Sequence, residues 1–83
     1  MFSMQLKSSN LKSATYDAES KALTVHFRNG NAYRYENVPP KVFQELGLAP
    51  SAGKYFHANI RSAYPAVNMN EEFDSGGNFS GQG

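Results

Sequence analysis

Residues 22–38 read ALTVHFRNGNAYRYENV and have the pattern of two strands joined by a tight turn. Residues 22–28 alternate between apolar and polar side chains, as in a strand with one buried face. The apolar set is Leu23, Val25 and Phe27, and the polar set is Thr24, His26 and Arg28. Asn29-Gly30 follows, and this dipeptide is the strongest short signal for a β-hairpin. Residues 32–38 therefore form the returning strand of a predicted antiparallel hairpin.

The loop of this hairpin decides which face of the sheet carries Tyr33 and Tyr35, which share one side of their strand. A two-residue loop at Asn29-Gly30 places His26 opposite Tyr33, so both tyrosines join the polar set as an exposed aromatic and basic platform. A three-residue loop with a bulge at Gly30 instead places Val25 opposite Tyr33, and both tyrosines join the apolar face. We favour the bulged loop, because the chain is short of core residues and strand register follows the buried face.

Further elements are predicted on both sides of the hairpin. The candidate strands are residues 11–17 and, as a fourth, residues 4–8, and the candidate helices are residues 41–46 and 51–64. Gly47 is expected to stop the first helix, Ser51 to cap the second, and Pro65 to lie just past its end. This order predicts an α+β fold, a small antiparallel sheet of three to four strands followed by two short helices packed on one face.

Length and composition bound the class of protein. The 83 residues allow one domain, since two domains would have about 40 residues each, which is too few to hold a core without disulfide bonds or bound metals. The chain has no cysteine, which excludes a disulfide framework and a thiolate metal or redox site. No apolar run approaches the ~20 residues that span a bilayer, and residues 1–7 lack the features of a signal peptide. We expect a small, soluble, cytoplasmic protein with no membrane partner.

The net charge of +1 is unevenly divided along the chain. Residues 1–65 hold all eight Lys and Arg and four acids, a sum of +4, whereas residues 66–83 hold three acids, a sum of −3. We predict one domain over residues 1–68 and a disordered, acidic, glycine-rich tail over residues 69–83, whose composition buries too little apolar surface to order it. The aromatic anchors of the tail are Phe73 and Phe79. The tail is either an inert end or a peptide that docks on a partner or on the domain's own basic surface.

Three polar side chains share one side of the second predicted helix, at spacings of three and four residues. They are Lys54, His57 and Arg61. Such a stripe can contact phosphates, with Tyr55 beside it and Arg28 adding charge if the fold brings it near. A solvated helix face that binds nothing has the same pattern. Because a body charge of +4 is modest, binding through this stripe should be weak and salt-sensitive.

The sequence contains no catalytic constellation. It lacks cysteine and a glycine-rich phosphate loop, and His26 and His57 lie on different elements without metal-ligand spacing. A chain of this length also leaves little room for a closed pocket. We therefore expect no enzyme activity, no cofactor and no metal site.

Several spaced motifs together resemble one known family. They are Ser8-Ser9-Asn10-Leu11, Tyr16-Asp17, Leu23-x-Val25-x-Phe27-x-x-Gly30-x-x-Tyr33-x-Tyr35, Val38-Pro39 and Ser51-x-Gly53-x-Tyr55-Phe56-x-x-x-Ile60-Arg61-x-x-Tyr64-Pro65. Residues 8–65 resemble the KTSC domain family, whose mark is the central Tyr-x-Tyr, met here by Tyr33 and Tyr35. Its members are small domains, found alone in bacterial, phage and plasmid proteins and at the C-terminus of some lysyl-tRNA synthetases. The family has no established activity, and the synthetase context implies RNA binding.

Two functions follow as hypotheses. The first is a small nucleic-acid-binding module, RNA or another single strand being favoured, in which basic side chains contact phosphates and tyrosines stack bases. Its site residues are Lys54, His57, Arg61, Tyr55, Tyr33, Tyr35 and Arg28. The alternative is a protein–protein interaction module of a phage or plasmid accessory protein, acting through the acidic aromatic tail. The open edges of a small sheet are also compatible with a homodimer.

Overall fold

The predicted hairpin lies at the centre of a five-stranded antiparallel sheet. The computed structural model describes residues 1–69. In chain order, the elements are strands β1 (Phe2–Gln5), β2 (Leu11–Asp17), β3 (Ala22–Phe27) and β4 (Ala32–Tyr35), helices α1 (Pro40–Leu48) and α2 (Ala52–Asn59), and strand β5 (Ala66–Asn68). The strands pair in the order β1-β2-β3-β4-β5. The predicted α+β fold is confirmed, with a sheet slightly larger than the three to four strands expected.

The register of the β3–β4 hairpin fixes the direction of the two tyrosines. The cross-strand pairs are Val25–Tyr33 and Leu23–Tyr35. Gly30 has a φ of 96°, a conformation that favours glycine, and its N–H donates to the Phe27 carbonyl at 3.0 Å. The bulged loop is therefore confirmed, and both tyrosines lie on the apolar face of the sheet.

Both helices pack against this apolar face and complete one core. Tyr16 of β2 stacks on Phe43 of α1 with ring centroids 5.3 Å apart, and the Tyr16 hydroxyl donates to the carbonyl of Val38. Burial raises the pKa of that hydroxyl, with the charge of Asp17 adding to the effect. The buried side chains of the core are Leu6, Leu11, Ala14, Tyr16, Leu23, Val25, Tyr35, Val38, Leu46, Ala52, Phe56 and Ile60.

The other face of the sheet is open and polar. Thr15, Thr24 and Arg34 lie in register across it. Arg34 pairs with Glu36, with 3.1 Å between nitrogen and oxygen. The bulged loop accounts for this placement, because it turns the residues that alternate with the tyrosines away from the core.

The boundaries of both helices differ from the prediction. Helix α2 ends at Asn59 rather than near Tyr64, because Ile60 leaves the helix with a φ of −120° and is fully buried in the core. Arg61 therefore lies in the turn after the helix. Helix α1 begins at Pro40, as its position before residues 41–46 predicts, but it continues through Gly47, which was expected to stop it.

The two edges of the sheet were only partly predicted. β1 occupies Phe2–Gln5 rather than residues 4–8, although it does supply a strand before β2. β5 was not predicted, because three residues are too few to show a periodic pattern. It pairs with β4 from Ala66, opposite Tyr35, to Asn68, opposite Tyr33.

The described residues end just after β5. The expected disorder of residues 69–83 concerns residues outside the described part, apart from Met69. Within residues 1–69, no helix is long and apolar enough to cross a bilayer.

Candidate nucleic-acid interface

A shallow groove separates the loop of the β3–β4 hairpin from α2. Two adjoining depressions, of about 400 and 450 Å³, form it and share Phe27, Asn29, Phe56 and His57. We call this surface the hairpin groove; its lining includes Arg28, Asn29, Asn31, Tyr33, His57 and Arg61 above a floor of Phe27 and Phe56, and Ser9, Asn10, Leu11, Tyr35 and Ala66 complete it. One wall is the hairpin, and the other is α2 with the turn that follows it.

The floor of the hairpin groove is an aromatic cluster created by the register of the hairpin. Phe56 meets Phe27 and Tyr35 edge-on, with ring centroids 5.6 Å apart in each pair. Phe27 meets Tyr33 in the same way at 5.8 Å. Edge-on packing fixes the orientation of each ring. The cluster therefore holds Tyr33, which is half-buried, at the rim of the groove.

His57 and Arg61 lie side by side on the α2 wall. Nη1 of Arg61 is 3.3 Å from Nδ1 of His57. Both residues are exposed. These two members of the predicted stripe therefore meet, although Arg61 lies outside the helix.

Arg28 lies on the hairpin wall. Its Nε donates to the carbonyl of Ser8 at 2.7 Å, and its Nη2 to the carbonyl of Leu6 at 3.5 Å. These bonds tie the hairpin to the loop between β1 and β2. A guanidinium has five N–H donors, and Arg28 is exposed, so it also contributes positive charge to the groove.

The acidic side chains of the described residues lie away from the hairpin groove. They are Asp17, Glu19, Glu36 and Glu45, and none of them lines it. The first three lie at the opposite end of the strands, around the β2–β3 turn and after β4. Glu45, on α1, pairs with Lys41 at 3.8 Å. Over the described residues, the groove is therefore lined by positive and neutral groups alone.

The open face of the sheet offers a less selective surface. A depression of about 510 Å³ there has both signs of charge in its lining, with Asp17 and Glu36 beside Arg34. An anion would meet repulsion as well as attraction on this face, so the hairpin groove is the better candidate site. Within residues 1–69, no three His, Asp or Glu side chains are grouped so as to hold a metal ion.

Tyr35 lies at the bottom of the hairpin groove, with almost all of its side chain covered. It is 3% exposed, and burial raises the pKa of its hydroxyl, with Tyr33 adding to the effect and Arg61 opposing it. A ring so covered offers no face to a base, so the structure removes Tyr35 from the predicted stacking residues. The hydroxyl of Tyr33 accepts a hydrogen bond from Nδ2 of Asn68 at 3.4 Å. Of the pair, Tyr33 is the one placed to touch a ligand.

Tyr55 lies on the far side of α2, against α1. Its hydroxyl donates to Oε1 of Glu45 at 2.7 Å. Burial, followed by the hydrogen bond and charge of Glu45, raises the pKa of Tyr55 to about 12. Because residues two apart lie about 200° apart around a helix, Tyr55 and His57 point to different sides. Tyr55 therefore does not flank the groove, contrary to the prediction. Lys54 is exposed one turn before His57, outside the residues that line the groove.

Sequence reasoning missed the two asparagines of the hairpin loop as site residues. Asn29 and Asn31 both line the groove, and the Asn31 N–H donates to Oδ1 of Asn29 at 2.9 Å. Their sequence, Asn-Gly-Asn, signals a turn and carries no sign of a ligand. What makes them site residues is the return of α2 over the hairpin, which the spacing of the motifs does not reveal.

Fold and groove together define a small α+β domain, an antiparallel sheet with two helices on one face and a basic groove at one end. The profile of the KTSC domain family matches residues 7–64. The chain belongs to this family, as the Tyr-x-Tyr and its neighbouring motifs predicted.

The relatives of the chain include a solved structure and much longer proteins. A KTSC domain protein from Yersinia pestis superposes with a TM-score of 0.78, covering 82% of this chain and 96% of that one, at 26% identity. A protein of Stutzerimonas stutzeri (strain A1501) is 50% identical over 52 residues, which are 63% of this chain and 73% of the relative. A lysine–tRNA ligase of Nostoc punctiforme is 35% identical over 54 residues, which are 65% of this chain but 10% of the ligase.

Proposed function

We propose that this domain is a non-enzymatic module that binds single-stranded nucleic acid, RNA in preference to DNA, in the hairpin groove. The observation that carries the proposal is that Arg28 lines one of the two adjoining depressions and Arg61 the other, over the aromatic floor that they share, with no described acid in the lining. Cationic grooves with aromatic surfaces are the usual way in which proteins bind single strands.

Each part of the groove has a role in this proposal. Arg28 and Arg61 contact phosphates, and Lys54, exposed one turn before His57, extends the positive surface along α2. Tyr33, at the rim, offers an aromatic surface to an unstacked base. The side-chain amides of Asn29 and Asn31 carry both donors and acceptors, which suit the edges of bases.

The preference for RNA is supported by the relatives. The lysine–tRNA ligases of Nostoc punctiforme and Trichormus variabilis contain a segment similar to this chain, and their name gives tRNA as the substrate. Single-stranded loops and ends are the parts of RNA whose bases are free to contact a protein. We expect weak binding, because the two arginines of the groove and the nearby Lys54 neutralise few phosphates, and we expect a steep loss of affinity with salt.

The test compares two double variants with equal charge changes. Lys54→Gln/Arg61→Gln removes the charge of Arg61 in the groove and that of Lys54 one turn before His57, whereas Lys21→Gln/Lys41→Gln removes two exposed charges elsewhere. Fluorescence anisotropy with a labelled single-stranded oligouridine at about 50 mM salt should show about a tenfold loss of affinity for the groove variant and little loss for the control. Equal losses in both variants, or no binding of oligouridine or tRNA by the unaltered protein, would overturn the proposal.

A further inference from the structure

Strand β5 directs the end of the described chain toward the hairpin groove. It runs antiparallel to β4, so it points to the end of the sheet that holds the β3–β4 loop. Its last residue, Asn68, lies opposite Tyr33, and its side-chain amide contacts the Tyr33 hydroxyl at 3.4 Å. The described part of the chain therefore ends beside the rim of the groove.

The segment that starts there has the charge opposite to that of the groove. Residues 70–83 read NEEFDSGGNFSGQG, with three acids and no Lys or Arg. The acids are Glu71, Glu72 and Asp74, all within the first five residues of the segment. The six residues that follow Asn68, up to and including Asp74, can span at most about 20 Å. Neighbouring strands are about 4.8 Å apart, so β5 and β3, which are two strand spacings apart, are about 10 Å apart and within that reach.

We propose that residues 70–74 of the free protein dock in its own hairpin groove, with their carboxylates at the positions that phosphates would take. Glu71, Glu72 and Asp74 face the guanidinium groups of Arg28 and Arg61. Phe73, between the acids, lies on the aromatic floor. Because the segment is tethered beside the groove, its effective concentration is of millimolar order, and weak contacts suffice to keep it there.

Docking makes the segment a built-in competitor for nucleic acid. A ligand with a dense line of phosphates displaces it, whereas a sparsely charged ligand does not. This competition rests on the proposed function, but the docking itself does not.

A spin label measures the docking without any nucleic acid. The chain has no cysteine, so Ser75→Cys carries a single nitroxide in the full-length protein. At about 20 mM salt, the amide NMR signals of Asn29, Asn31 and His57 should lose roughly half or more of their intensity. Those of Thr15 and Thr24, on the open face, should keep theirs, and about 300 mM salt should reduce the loss at the groove.

A charge-matched pair of variants shows whether the acids direct the docking. In the labelled chain, Glu71→Gln/Glu72→Gln/Asp74→Asn should restore the groove signals. Asp17→Asn/Glu19→Gln/Glu36→Gln has the same change of charge at the far end of the sheet, and it should leave the loss in place. Docking is refuted if the groove signals are never lost, if both faces lose signal equally, or if the two variants behave alike.

Oligouridine separates this inference from the proposed function. If both hold, adding it restores the groove signals, and neutralising the three acids of residues 70–74 raises its affinity about threefold or more over the matched variant. If the groove signals are lost but oligouridine does not bind, the proposed function fails and the docking stands. If oligouridine binds but the groove signals are never lost, the docking fails and the proposed function stands.

Discussion

The tyrosines of this domain differ in what surrounds their hydroxyl groups. The Tyr16 hydroxyl is buried and donates to a backbone carbonyl, and Tyr35 packs at the bottom of the groove. Tyr55 donates to a carboxylate between the helices, whereas the Tyr33 hydroxyl lies at the groove rim, beside Asn68. The same side chain thus serves as a core residue, a link between helices and a candidate contact. The role of each tyrosine is determined by its surroundings in the fold and not by the residue type alone.

The hydrogen bond from Tyr55 to Glu45 makes the stability of the fold depend on pH in the alkaline range. Because the pKa of Tyr55 is raised to about 12, the unfolded state, with a pKa near 10, binds fewer protons than the folded state between these values. The contribution of Tyr55 to the free energy of unfolding is therefore full below about pH 10 and is lost as the pH rises toward 12. Tyr55→Phe should lower the free energy of unfolding by about 1 kcal/mol at pH 7, through loss of the hydrogen bond.

Urea denaturation of both proteins at pH 7, 10 and 11 checks this dependence. The difference in the free energy of unfolding between the parent and Tyr55→Phe should shrink at the highest pH. There the parent loses the hydrogen bond of the neutral Tyr55 hydroxyl, which the variant lacks at every pH. Tyr16 and Tyr35, which are present in both proteins, cancel from the comparison. A difference that stays constant or grows with pH would show that the Tyr55 hydroxyl is not held in its neutral form.

Among the secondary-structure elements, replacing glycine by alanine is expected to have opposite effects on stability at two positions. Gly30 has a φ of 96° with nothing within 4 Å of an added Cβ, so Gly30→Ala is strained by the backbone alone. Gly53 lies inside α2, where an added Cβ meets the Ser8 hydroxyl at 3.4 Å, an ordinary contact. Thermal unfolding should show Gly30→Ala destabilised by about 1 kcal/mol or more and Gly53→Ala stabilised by about 0.5 kcal/mol. Two changes of the same sign would contradict the bulged loop or the ordinary helical backbone at Gly53.

The central hairpin was predictable because two independent signals agree on its register. Gly30 suits the positive φ of a bulge, and the shortage of core residues requires Tyr33 and Tyr35 on the apolar face. The end of α2 was not predictable, since residues 60–64 show no helix breaker before Pro65. The helix stops because Ile60 is drawn into the core, which is a tertiary effect. β1 and β5 lie outside the residues that match the family, and only pairing with β2 and β4 defines them.

At the scale of the whole molecule, the candidate site was predicted in its parts but not in its arrangement. The stripe of His57 and Arg61 follows from helical spacing, and both residues do line the groove. Arg28 is far from them in sequence, and the antiparallel fold brings it to the same surface. Tyr55 was misplaced because spacing along a helix gives neighbours on the surface without showing which side faces another helix. The topology therefore determines the groove, while single-element patterns supply its residues.

The separation of charge between the two ends of the sheet is the feature that a binding experiment tests most directly. The measurement is the change in backbone amide NMR shifts as a single-stranded oligouridine of about eight nucleotides is added at about 50 mM salt. The hairpin groove as binding site predicts the largest changes at residues 28–33 and 57–61, with little change at the β2–β3 turn. Largest changes at Thr15, Thr24 and His26 on the open face, or no change at any residue, would contradict it.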